Sequence, residues 1–128
     1  MTKSIFADCP ELDIAFLDET YADDAETASF LFQQFLDELP TNIELLHKSL
    51  RNHDISEFRK HLHKQKPAYS YVGLTYITKQ IHELQSRCLV TLDLTIYLKE
   101  IEEVLKNISE CASILERAIM RLEEYKRA

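Results

Sequence analysis

The chain has 128 residues, 45% hydrophobic and 29% charged, with 22 acidic against 15 basic side chains and a formal net charge of −7. That size and balance fit one globular domain with its own core and exclude a disordered chain. The acidic excess argues against a general nucleic-acid binder, which needs a basic stripe to neutralise phosphates, and no apolar run approaches a membrane span.

One glycine and three prolines leave little material for tight turns, which favours long helices joined by few loops. Residues 1–10 show neither a charged leader followed by an apolar stretch nor a twin-arginine signal, so the expected location is the cytoplasm. Cys9, Cys88 and Cys111 are an odd number without CxxC spacing. They read as free thiols of a reducing compartment, with Cys88 and Cys111 expected inside as small hydrophobes.

A short helix is predicted at 12–20, with Leu12, Phe16 and Leu17 on one side. Asp23 and Glu26 then have capping-box spacing and open a long helix. Its stripe runs Ala28, Leu31, Phe32, Phe35, Leu39, Ile43, Leu46 and Leu50. Pro40 interrupts that stripe and predicts a kink or short break near Leu39.

Asp54 and Glu57 repeat the capping pattern before a helix on Ile55, Phe58, Leu62, Tyr69 and Val72, ending near Gly73. Another follows on Leu74, Ile77, Ile81, Leu84 and Cys88. After a short loop through Thr91 and Asp93, the last stripe is Leu94, Leu98, Ile101, Leu105, Ile108, Ala112, Leu115, Ile119 and Leu122. The expected fold is all-α: an antiparallel up-down-up-down four-helix bundle with a short extra N-terminal helix, one domain over 1–128.

The chemistry concentrates around His63. At about 100° per residue, Phe58, Leu62, Tyr69 and Val72 form the buried face, while Arg59, Lys60, Lys66, Pro67 and Ser70 fall within roughly 60° of His63. His63 is therefore expected on the solvent side among cations, with Lys64 flanking it. A solvated basic face is the plain reading of that cluster. The reactive reading makes His63 a nucleophile towards phosphorus, the ammonium groups stabilisers of phosphoryl oxygens, and the basic rim a dock for an acidic partner. His61 points to the opposite side, so His61 and His63 cannot chelate a metal together, and no metal site is expected.

The spacing of His63, Lys66 and Gly73 resembles the His-x-x-Lys-six-residues-Gly pattern of histidine phosphotransfer (Hpt) domains. The stretch from Phe32 through Phe35, Asp37, Glu38 and Leu39 to Pro40 is similar to the family's segment on the preceding helix, and the likeness covers about residues 10–90. The resemblance implies that His63 is the phosphoacceptor, normally through Nε2, and that Lys66 contacts the phosphoryl group. It also implies that Gly73 permits a close helix approach. Arg59, Lys60, Lys64, Pro67 and Ser70 are the expected docking residues. The implied partners are a response-regulator receiver domain, a hybrid sensor histidine kinase, or both, with the Mg²⁺ on the receiver and no cofactor on this chain. The expected protein is a monomeric phosphocarrier, not an enzyme with its own kinase domain.

Where the family commonly has Gly and Ser after the motif lysine, this chain has Pro67 and Ala68. Pro67 cannot donate to the His63 carbonyl, which predicts a bend at the active position. His61 is set aside as acceptor because Gly73 is then out of register, and His47, His53 and His82 read as ordinary surface or hydrogen-bonded histidines. Two other functions compete: an Hpt-like adaptor that binds receivers without transfer, and a dimeric phosphotransferase resembling the helical half of a sensor kinase, for which residues are lacking.

Overall fold

Five α-helices and one 3₁₀ turn make up the computed structural model, which describes residues 4–91 and 93–127; no strand occurs among them. The first helix, α1, spans Ile14–Tyr21, opened by the Asp13 carboxylate, which accepts from the Phe16 N–H at 3.2 Å. Residues 4–12 ahead of it run through turns and bury Ile5, Phe6, Cys9 and Leu12. That apolar lid has no helical period, so only its last member, Leu12, is legible from sequence periodicity.

Helix α2 spans Ala25–Arg51 and is capped by Asp24, one residue beyond the expected Asp23. The Asp24 carboxylate takes both the Thr27 N–H at 3.0 Å and the Thr27 hydroxyl at 2.7 Å. These bonds satisfy an orphan donor of the first turn. The helix continues through Pro40, so of the kink or short break expected near Leu39 the break does not occur. Pro40 is exposed, so the hydrogen bond it removes lies on the solvent side while Phe35, Leu39 and Leu46 stay seated in the core.

Helix α3, Ile55–Tyr71, starts at the expected cap, where Asp54 accepts from the Glu57 N–H at 3.0 Å. Phe58, Leu62 and Tyr69 are buried. Gln65 joins them, its amide donating to the Asn42 carbonyl of α2 at 3.1 Å. Pro67 is likewise exposed and α3 is continuous across it. Helix α4, Thr75–Val90, buries Ile77, Ile81, Leu84 and Cys88.

A 3₁₀ turn over Leu94–Tyr97 leads into α5, Leu98–Arg127. The tighter winding of the turn shifts the phase of the last stripe. Leu94 is half-buried and packs against the core, while Leu98 is exposed, which corrects its expected place in the stripe. Val104, Cys111 and Ala118 fill the face alongside Ile101, Leu105, Ile108, Leu115 and Leu122.

Helices α2 and α4 each pack against both α3 and α5, and α1 touches α2. Phe6, Tyr21 and Phe32 stack with ring centroids 6.1–6.2 Å apart, and Phe35 meets Tyr69 edge-on at 5.1 Å. All three cysteines are buried and unpaired, including Cys9. No helix among the described residues is long and apolar enough to cross a membrane.

The α3–α4 turn is fixed from α1. Gly73 sits at φ +78°, in the left-handed region where a side chain is strained, and a Cβ there would lie 2.8 Å from Leu17 Cδ1. Three hydrogen bonds of 2.8 Å reinforce the contact: Asp13 N–H to the Gly73 carbonyl, the Thr75 hydroxyl to the Asp13 carboxylate, and the Tyr21 hydroxyl to the Tyr71 carbonyl. The end of α3 is thereby tied to α1, and the register of α3 against α4 starts from a defined corner.

Candidate functional site

His63 stands in the middle of α3 on its exposed side, while Leu62 and Gln65 of the same turn point into the core. Because α3 and α4 run from one tight corner, residues on the two helices meet in a fixed ladder. Gln85 of α4 reaches His63, with its Nε2 3.0 Å from the imidazole Nδ1. One turn nearer the corner, His82 of α4 meets Lys66, with Nζ 3.3 Å from the imidazole Nδ1. An ammonium group has donors only, so as a hydrogen bond this contact has Lys66 donating to the His82 Nδ1, the arrangement of the Nε2–H tautomer.

The first contact leaves a choice open. Gln85 Nε2 donating to Nδ1 puts the His63 proton on Nε2. A half-turn of the amide instead presents Oε1, which accepts from an Nδ1–H and leaves the Nε2 lone pair free. Gln85 Oε1 is buried without a hydrogen-bond partner, and that half-turn gives the oxygen a partner while putting the amide nitrogen in its place.

The other expected site residues are placed less uniformly. Lys66 is half-buried, and Lys64 and Pro67 are exposed on either side of it. Lys60 is exposed and paired with Glu57 at 3.2 Å. Arg59 is half-buried near Cys88: burial pushes that thiol upward and the guanidinium draws it part of the way back. Ser70 is half-buried, its carbonyl taking the Gly73 N–H at 3.0 Å. His61 has a side chain 20% exposed and lies 3.5 Å from Glu57, away from the His63 contacts.

Sequence reasoning missed Gln85 and gave His82 no role. Both sit on another helix, Gln85 being 22 residues from His63, so no motif around His63 contains them. The available signal was the corner at Gly73: folding the two helices back from it brings Gln85 opposite His63 and His82 opposite Lys66. Among the described residues, no group of three or more His, Cys, Asp or Glu side chains is placed to hold a metal ion.

A family model for the Hpt domain matches residues 31–124, most of the chain and all of α3 and α4. The chain belongs to the Hpt domain family. No curated protein and no solved structure gives a significant match. Hpt domains are phosphocarrier modules that lack kinase activity and work with the receiver and kinase domains of two-component systems. Membership therefore implies a phosphotransfer role in two-component signalling. Helix α1 and its cap Asp13 lie outside the matched residues, although they hold the corner from which the His63 ladder is built.

Proposed function

We propose that this Hpt domain is a histidine phosphocarrier whose acceptor is His63, taking a phosphoryl group from the aspartate of one receiver domain and passing it to another. The observation that carries the reading is the His63–Gln85 contact at 3.0 Å on an exposed face. A phosphoacceptor imidazole needs one nitrogen held and the other open. With Nδ1–H donating to Gln85 Oε1, Nε2 keeps its lone pair towards solvent and towards the incoming phosphorus.

In the transfer, the Nε2 lone pair forms the N–P bond as the P–O bond to the aspartate breaks, and the electron pair leaves with the carboxylate. The ring becomes cationic and keeps its Nδ1 proton on the Gln85 oxygen, which favours the charged form. The return step reverses these changes. Lys66, one turn along, supplies positive charge for the phosphoryl oxygens. The receiver would bring its own Mg²⁺, leaving this chain to orient the imidazole and neutralise charge.

Arg59, Lys60, Lys64, Pro67 and Ser70 form the docking rim in this reading, and the positive charge of Arg59, Lys60 and Lys64 suits an acidic receiver site. The protein acts as a single cytoplasmic domain and as a monomer. Its main helices take the antiparallel up-down-up-down course. That course is supported by cross-helix pairs running in opposite senses, Lys66–His82 and His63–Gln85 between α3 and α4, and Gln80–Asn107 and Arg87–Glu100 between α4 and α5.

The test is label transfer from phosphorylated receiver domains to wild type and Lys66→Ala. Acid-labile, alkali-stable label on wild type, slowed in Lys66→Ala with receiver affinity kept, is the expected result. Receiver binding without any label on the wild-type chain would replace the carrier with the adaptor.

A further inference from the structure

We infer that His82 is a positioning residue for Lys66, holding the ammonium group beside His63 without consuming its charge. The inference rests on His63 as acceptor and concerns a residue on α4 that lies outside the His63–Lys66–Gly73 motif. A lysine on a helix surface has a flexible four-carbon stem, and fixing it costs rotamer entropy. A lysine that must meet a phosphoryl group at one place transfers faster if part of that cost is met beforehand.

The usual partner of a surface cation is a carboxylate, and this region contains two such pairs, Lys60 with Glu57 and Arg87 with Glu100. Lys66 is different. Its Nζ lies 3.3 Å from the His82 Nδ1, and among the described residues no carboxylate is within ion-pairing distance of it. A carboxylate would hold the ammonium more tightly but cancel its charge and compete with the phosphoryl oxygens. A neutral imidazole orients the same group and leaves its full positive charge for the anion.

The ladder explains why His82 can do this. Gln85 holds the acceptor ring and His82 holds the lysine, three residues apart on one face of α4, matching the three-residue spacing of His63 and Lys66 on α3. The α4 charge nearest in sequence on the far side, Arg87, is committed to Glu100 and to the Tyr97 ring. Lys79 and Glu83 flank His82 on its own helix, and Lys66 and His63 face it from α3.

The experiment compares wild type with His82→Ala, His82→Gln and Lys66→Ala, and with the double variant, by single-turnover transfer from a phosphorylated receiver and by receiver affinity. His82→Ala should slow transfer about fivefold at unchanged affinity, and His82→Gln, whose amide oxygen also accepts from an ammonium, should recover most of the rate. In the Lys66→Ala background, His82→Ala should add nothing. Equal loss in both backgrounds, or no recovery by glutamine, would overturn the positioning role.

A second readout does not depend on transfer. The ¹⁵N spectrum of the unphosphorylated wild type at about pH 8 should show His82 as the Nε2–H tautomer, with that preference weakened in Lys66→Ala. An unchanged His82 spectrum in that variant would also overturn it. If the wild type takes no label, the acceptor reading fails by itself and the spectrum alone judges the pair.

Discussion

Gln85 Nε2 lies 3.0 Å from His63 Nδ1, the cross-helix contact that fixes the orientation of the imidazole on α3. Removing the amide frees the ring to rotate and to carry its proton on either nitrogen. Gln85→Ala should therefore slow phosphoryl acceptance about tenfold with little change in the urea midpoint. Single-turnover label transfer beside an unfolding curve separates the two effects. A rate equal to wild type would remove the amide from the mechanism.

Gly73 is required by two independent features, its φ of +78° and the mere 2.8 Å that would separate a Cβ at this position from Leu17 Cδ1. Gly73→Ala should cost about 2–3 kcal/mol of unfolding free energy, combining left-handed backbone strain with overpacking. Since Gly73 sets the corner of the α3–α4 ladder, the same variant should also loosen the His63–Gln85 contact, visible as a shifted His63 resonance.

Among the described residues, two non-glycine residues lie at positive φ: Ala22 at 52° and His53 at 54°. Ala22 also has ψ −118°, a conformation that glycine adopts far more readily than a residue with a Cβ. Both residues are exposed. Ala22→Gly should raise stability by about 0.5–1 kcal/mol, because strain relief exceeds the entropy gained by the unfolded chain. His53→Gly, just past the C-cap of α2, should raise it by a smaller amount. Urea denaturation of each single variant measures the change.

The core predicts a loss of stability in alkali. Burial pushes the Cys111 thiol from 9.0 up to about 12. Burial also raises the Tyr69 phenol well above its ordinary 10.0. Over pH 9 to 12 the unfolded chain releases the Cys111 proton while the folded chain retains it. Stability is then full below pH 9 and falls as pH rises, by at most about 1.4 kcal/mol per pH unit for each such group. Urea midpoints between pH 8 and 11 should fall less steeply in Cys111→Ala than in wild type.

Much of this architecture was legible because it is periodic. Phe58, Leu62 and Tyr69 on α3, and Ile77, Ile81 and Leu84 on α4, follow the helical repeat and are buried. Asp54 was readable as a cap because only one acidic residue stands at that position. Asp23 and Asp24 were adjacent alternatives, and the choice of Asp24 depends on Thr27 contributing both its N–H and its hydroxyl.

What stayed hidden depends on contacts between segments. Phe6 is wholly buried from an irregular stretch, and its place is set by Tyr21 and Phe32. The motif exposed His63 and Lys66 to view, but their partners Gln85 and His82 become visible only when α4 folds back from Gly73.

The central claim is that His63 carries the phosphoryl group, and the most direct measurement is label transfer from a phosphorylated receiver to wild type and His63→Gln. Because His63 is exposed, His63→Gln should unfold at the wild-type urea concentration while accepting no acid-labile, alkali-stable label. Label appearing on folded His63→Gln as readily as on wild type would contradict the account and move the acceptor to another residue.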